Sequence, residues 1–168
     1  MNYAQMRKYD TANGPGIRST LFVSGCIHQC SGCFNQDFQQ FNYGQKWTQA
    51  ASDEFIEMIS DPHIKGVTLL GGEPMEQIHD EDLLNLVKRI KEETDKDLWV
   101  YSGYTFEQIM ENEKRKEILT FCDVLVDGLF VEELKDLRLK FRGSSNQRII
   151  DVQASLKTGT VTLMAEFN

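Results

Sequence analysis

Apolar positions along this chain fall into short separated blocks, and their spacing switches between two periods. "IRSTLFVS" (17–24) is apolar and β-branched enough for a buried strand, and "KGVTLLGGEP" (65–74) repeats the scheme as a short apolar strand running into glycines. Between 80 and 95, Leu83, Leu84, Leu86, Val87 and Ile90 share one side at helical spacing, behind an acidic first turn. "DLWVYSG" (97–103) predicts a strand, 105–121 one or two helices, and "CDVLVDG" (122–128) another buried strand. Alternating strands and helices imply β-α-β crossovers and an α/β fold with a mainly parallel sheet, whose ligand chemistry gathers at the carboxyl ends of the strands. The cysteine-rich loop after the first block, "GGEP", "YSG" and "VDG" all follow predicted strands, so four candidate sites are expected on one edge of the sheet.

Composition narrows the setting. With 168 residues, 40% of them hydrophobic, the chain suits one domain spanning 1–168. No repeat or linker interrupts it, and the prolines at 15, 62 and 74 sit where turns are expected. The first ten residues are polar, and no apolar run approaches the roughly 18 residues of a membrane span, so a cytoplasmic protein is expected. A formal net charge of -8 argues against nucleic-acid binding, which needs concentrated Lys and Arg. Lys135, Arg138, Lys140, Arg142 and Arg148, interleaved with Leu137, Leu139 and Phe141, form one basic stretch, either a solvated face or a docking surface for an acidic partner.

The candidate chemistry lies in "GCIHQCSGCFN" (25–35), which holds three of the four cysteines: Cys26, Cys30 and Cys33. Crowded cysteines in a reducing compartment point to metal or redox chemistry rather than disulfides. Structural zinc takes four ligands, commonly in two pairs, and the second pair is missing; His28, between two cysteines, is an awkward fourth ligand. An electron-carrying 4Fe-4S centre also takes four thiolates. Cys122 sits in an apolar strand and reads as a core residue. The remaining reading is a cluster left one ligand short, whose free iron is an open Lewis-acid position, as in a catalytic zinc site. Gly71, Gly72 and Glu73 after the second strand would let a ligand approach the backbone, although a strand-end glycine pair is more often structural.

The C-x3-C-x2-C loop after the first strand resembles that of radical S-adenosylmethionine enzymes. The resemblance implies a 4Fe-4S cluster on Cys26, Cys30 and Cys33, with S-adenosyl-L-methionine chelating the free iron. It further implies that Gly71-Gly72-Glu73 receives the cofactor's ammonium group and that Ser102 and Gly103 lie near its ribose or methionine part. "NGPGIR" (13–18) looks like the segment leading into the first strand of glycyl radical enzyme activases, many of which carry Asp where this chain has Asn13. "LFVSGCIHQCSGCFN", "GGEP", "DVLVDGLFVEELKD" and "FRGSSNQR" are similar to those activases whose partner is the anaerobic ribonucleoside-triphosphate reductase. Gly32 replaces the aromatic usual before the third cysteine, which implies adenine contact through the backbone of Gly32, Cys33 and Phe34.

For a chain shorter than a full barrel of about 200 residues or more, the resemblance implies a shortened, open (β/α) partial barrel. Its implied activity is a radical oxidoreductase that takes an electron from reduced flavodoxin or a similar donor and leaves a glycyl radical on the large reductase subunit. His28, His63 and His79 have no catalytic part in that reading, and "RGSSNQR" (142–148) has no assigned role. Two other classes remain open: another small enzyme of the superfamily, of the pyruvate formate-lyase activase type or acting on a metabolite, and a non-enzymatic iron-sulfur or zinc module.

Overall fold

The computed structural model describes residues 1–168. One seven-stranded sheet organises the chain, with strands β1 (Asn2–Asp10), β2 (Arg18–Val23), β3 (Gln45–Lys46), β4 (Gly66–Gly71), β5 (Asp97–Ser102), β6 (Val124–Asp127) and β7 (Arg148–Asp151). Their spatial order is β3-β1-β2-β4-β5-β6-β7. The central four, β2, β4, β5 and β6, run parallel as the alternation predicts, whereas β1, β3 and β7 pair antiparallel at the edges. The sheet is open and mixed.

Helices α1 (Gln49–Ile59), α2 (Asp82–Glu93), α3 (Phe106–Met110), α4 (Glu113–Leu119) and α5 (Val152–Thr158) connect or follow these strands. The predicted 105–121 helical region divides because Asn112 accepts from Lys114 and Arg115 amides and caps a second helix. Leu83, Leu86, Val87 and Ile90 of α2 are fully buried, each contributing about 1.5–3 kcal/mol. They meet Leu21, Leu69, Val100 and Leu125 from one face of the sheet. Cys122 belongs to this core, at the amino end of β6, as its apolar surroundings predicted. No helix is long and apolar enough to cross a membrane.

Alternate residues point to the opposite face, where Trp99, Val124, Val126 and Ile149 pack with Tyr101, Phe141 and Phe167. Near the amino ends of the strands that face is closed by the loop between β1 and β2. Asn13 donates its side-chain amide to Asp10 at 2.7 Å, and Thr68 donates to the Asn13 carbonyl at 2.7 Å. A carboxylate at position 13 would face Asp10 as a like charge, so the amide suits this chain. Arg18, fully buried, donates to Thr68, the Val67 carbonyl and Asp97. The carboxyl-end half of the same face stays open.

Five elements escaped the hydrophobic pattern: β1, β3, α1, β7 and α5. "NYAQMRKYD" reads as polar because most of β1 is only half buried, and its strand state comes from the antiparallel ladder with β2. β7 follows a polar turn and also pairs antiparallel. Its first residue, Arg148, is therefore no part of an exposed basic face. The Arg148 guanidinium reaches both oxygens of Asp127, at 3.0 and 2.6 Å, and Glu107 at 2.8 Å. Asp127 is only 1% exposed, so Arg148→Ala leaves a buried carboxylate with little more than the Phe106 amide. We predict a loss of about 3–5 kcal/mol in guanidinium unfolding; a loss below 1 kcal/mol would contradict this account.

Candidate functional site

The parallel strands β2, β4, β5 and β6 end on the same side, and the loops leaving them surround a cavity of about 730 Å³. Cys26, Cys30 and Cys33 line it from the β2 loop, Gly71, Gly72 and Glu73 from β4, and Ser102 and Gly103 from β5. Loops separated by dozens of residues in sequence thus converge as the strand-end rule requires. Phe34 also lines the cavity while remaining 64% exposed. Gly32 does not line it: at φ +73, its missing Cβ would lie 2.9 Å from the Glu132 carboxylate carbon. An aromatic side chain there would meet both the left-handed backbone and that carboxylate.

The β4 loop is sewn to the cysteine loop by main-chain bonds. Gly72 donates to the Val23 carbonyl at 2.7 Å and Glu73 to the Gly25 carbonyl at 2.8 Å. A Cβ on Gly72 would sit 2.6 Å from the Gly25 oxygen and 2.7 Å from the Phe38 oxygen, so the close approach needs glycine. Asn35 donates its amide to the Gly71 carbonyl at 3.2 Å, and Gln77 donates to the Ser24 carbonyl at 2.9 Å.

Glu73 is the hub of the site. Only 1% exposed, it accepts from the Met75 amide (2.9 Å), Ser102 hydroxyl (2.7 Å), Gly103 amide (2.7 Å) and His28 Nε2 (2.9 Å). One carboxylate thereby joins the β2, β4 and β5 loops. The His28 ring also packs edge-on against Tyr104, centroids 4.6 Å apart. Tyr104 in turn bonds Glu76 and lies under the Arg115 guanidinium, 3.9 Å from its ring centre. Burial, reinforced by the Glu76 bond, pushes the Tyr104 hydroxyl up to about 12, so it stays protonated at neutral pH.

The cysteines are free thiols. Burial pushes the Cys26 thiol up to about 11, with the Glu73 charge adding to the rise and the His28 amide opposing it. Cys30 is raised by burial as well. Main-chain amides already point at sulfur: His28 N lies 3.5 Å from Cys26 Sγ and Asn35 N lies 3.4 Å from Cys33 Sγ. No three His, Cys, Asp or Glu side chains stand at mutual ligating distance, so loading a metal would draw the sulfurs inward and release their protons. The donor set nevertheless suits an iron-sulfur cluster with three protein ligands. His28 is committed to Glu73, and Cys122 lies at the opposite end of the strands with its Sγ against the Ile118 carbonyl. Neither stands beside the three thiols as a fourth ligand.

His28, Asn35, Gln77 and Tyr104 were not among the expected site residues. Their partners lie in other loops, 45 residues away for His28 and Glu73 and 53 for Gln77 and Ser24, and no local spacing encodes such pairs.

Comparison with known proteins agrees with this geometry. The family described as "4Fe-4S single cluster domain" matches residues 12–150. An anaerobic ribonucleoside-triphosphate reductase-activating protein of Vibrio cholerae is 45% identical over 152 residues, covering 89% of this chain and 97% of that protein. The protein of the same name from Escherichia coli is 45% identical over 150 residues, covering 88% and 96%. That of Enterobacteria phage T4 is 39% identical over 150 residues, covering 89% and 93%. With its three-thiol loop, its Glu73 hub and this similarity across nearly its whole length, the chain belongs to the family of anaerobic ribonucleoside-triphosphate reductase-activating proteins.

Proposed function

We propose that this protein is a radical S-adenosylmethionine enzyme that installs a glycyl radical on the anaerobic ribonucleoside-triphosphate reductase. The observation that carries the reading is the meeting of three free thiols and the Gly71-Gly72-Glu73 segment on one open cavity, with no fourth thiol in reach. Cys26, Cys30 and Cys33 would hold the 4Fe-4S cluster. When bound, the cluster and S-adenosyl-L-methionine supply a 5'-deoxyadenosyl radical, which takes one hydrogen atom from a glycine Cα of the partner while one electron from a flavodoxin-like donor is consumed and methionine leaves.

The chain's own residues bind and orient. Gly71 and Gly72 line the cavity, and the charge of Glu73 favours an ammonium group nearby. Ser102 and Gly103 hold Glu73 and face the same space. Gly32 lies off the cavity, so the backbone of Cys33 and Phe34 would meet the adenine. His28 takes no proton in this scheme: it ties the cysteine loop to Glu73. The open sheet, read as a shortened partial barrel in a single cytoplasmic domain, leaves room for a macromolecular substrate.

The test is anaerobic reconstitution with iron and sulfide, then addition of reductant, S-adenosyl-L-methionine and the reductase, followed by electron paramagnetic resonance. The expected result is a glycyl doublet on the reductase together with 5'-deoxyadenosine. Absence of 5'-deoxyadenosine from a cluster-loaded sample would refute the proposal.

A further inference from the structure

The "RGSSNQR" segment, unexplained by the sequence, touches the site through an intermediary. Gln147 accepts from the Gly143 and Ser144 amides at 2.8 and 3.1 Å, and its own amide donates to the Gly128 carbonyl at 3.0 Å. Ser144, fully buried, accepts from the Val131 amide at 3.1 Å. Asn146 donates to the Leu129 carbonyl at 2.8 Å, and the Ser145 amide donates to the Leu134 carbonyl at 3.0 Å. The 143–147 turn therefore grips the backbone of 128–134 at four separate residues.

That gripped segment lies against the cysteine loop. Ser31 donates to Glu132 at 3.1 Å, and the Phe130 and Phe34 rings meet at a tilt with centroids 5.0 Å apart. The Lys135 ammonium sits 5.3 Å from the centre of the Phe34 ring. A Cβ on Gly143 would come within 3.1 Å of Phe130 and 3.3 Å of Phe34, so the glycine lets both rings pack down.

We propose that residues 143–147 form a clasp, with Gln147 as its positioning residue, that holds the Phe130–Glu132 strap over the cysteine loop and so shields the cluster on its Cys30 side. The clasp touches no substrate. It acts through the strap, which lays an aromatic and carboxylate cover over the loop. Outer hydrogen bonds and solvent access govern both the lability and the potential of an iron-sulfur centre.

The inference rests on Cys26, Cys30 and Cys33 being the cluster ligands, and its test needs neither reductase nor S-adenosyl-L-methionine. Reconstituted wild type, Gln147→Ala, Gln147→Glu and Ser31→Ala are mixed anaerobically with an iron chelator, bathophenanthroline disulfonate, and iron release and midpoint potential are recorded. Gln147→Ala is expected to release iron about 10-fold faster or more, with a shifted potential. Gln147→Glu, which keeps an acceptor for the two turn amides, should recover part of the difference. Ser31→Ala removes the Glu132 bond, one of the strap's contacts with the loop, without touching the turn, so it should accelerate release even if Gln147→Ala fails to fold. Wild-type release and potential in Ser31→Ala and in every folded Gln147 variant would overturn the clasp. A wild type that holds no 4Fe-4S cluster would instead overturn the functional proposal beneath it.

Discussion

Cys30→Ala is expected to give a folded protein that retains no stable 4Fe-4S cluster and leaves no radical on the reductase. All three cysteines sit in the loop after β2, outside both apolar clusters and only partly buried. Removing one sulfur there should change the denaturant midpoint little, because surface and loop substitutions usually fall within about 0.5 kcal/mol. The effect on cluster retention should be far larger. Outer partners of a metal site cost about 10–100-fold in affinity when lost, and a direct ligand should cost more. Iron and sulfide content after gel filtration, read beside a circular dichroism melt, separates the two effects. Cys122→Ala is the control: that thiol is fully buried, is held well above the ordinary thiol range by burial, and lies at the wrong end of the strands. It should keep its cluster at a modest cost in core packing. A Cys122→Ala protein without a cluster, or a Cys30→Ala protein with one, would invalidate the ligand assignment.

Glu73→Ala should produce the largest combined effect on stability and site. Four donors from three loops converge on this one carboxylate. An unsatisfied buried polar group costs about 1–3 kcal/mol. The Ser102 hydroxyl and His28 can turn towards water, but the Met75 and Gly103 amides are fixed by the backbone. We therefore expect a net loss of about 3–5 kcal/mol, in the range seen when one partner of a buried charge-assisted set is removed. With Glu73 gone, nothing ties His28 to the β4 loop, and cluster retention should fall too. Glu73→Gln separates shape from charge. It keeps one acceptor oxygen, so its stability loss should be smaller, but it removes the negative charge offered to an ammonium group. Equilibrium binding of S-adenosyl-L-methionine to the reconstituted variant reads that loss directly. Wild-type stability in Glu73→Ala would show that Glu73 is not the hub.

Much of the candidate site was legible because it is built from short strings. The cysteine triplet, the glycine pair before Glu73 and the strands ahead of them are contiguous, and a parallel sheet requires their loops to share one end. The nearly continuous burial of β2, β4, β5 and β6 likewise followed from their apolar runs. Less legible were the edges. β1 has one buried residue in nine and β7 is only four residues long, so their strand state depends on partners already in place. The basic stretch at 135–148 divides: Lys135, Arg138 and Lys140 are exposed, as a solvated face requires, whereas Arg142 donates to the Gln147 carbonyl and Arg148 is paired with Asp127 and Glu107, which sequence alone does not show.

By itself, then, the sequence determined which atoms are available for chemistry: three thiols at fixed spacing, a glycine-flanked carboxylate, and apolar strands that deliver both to one rim. Only the tertiary structure decided how those atoms are used. It made Glu73 a junction of three loops, turned His28 from a possible ligand into a tether, pointed Gly32 at Glu132, and gave "RGSSNQR" a strap to hold. Each of these is a contact between segments far apart in the chain, fixed by hydrogen-bond geometry that exists only after the sheet has brought its strand ends together.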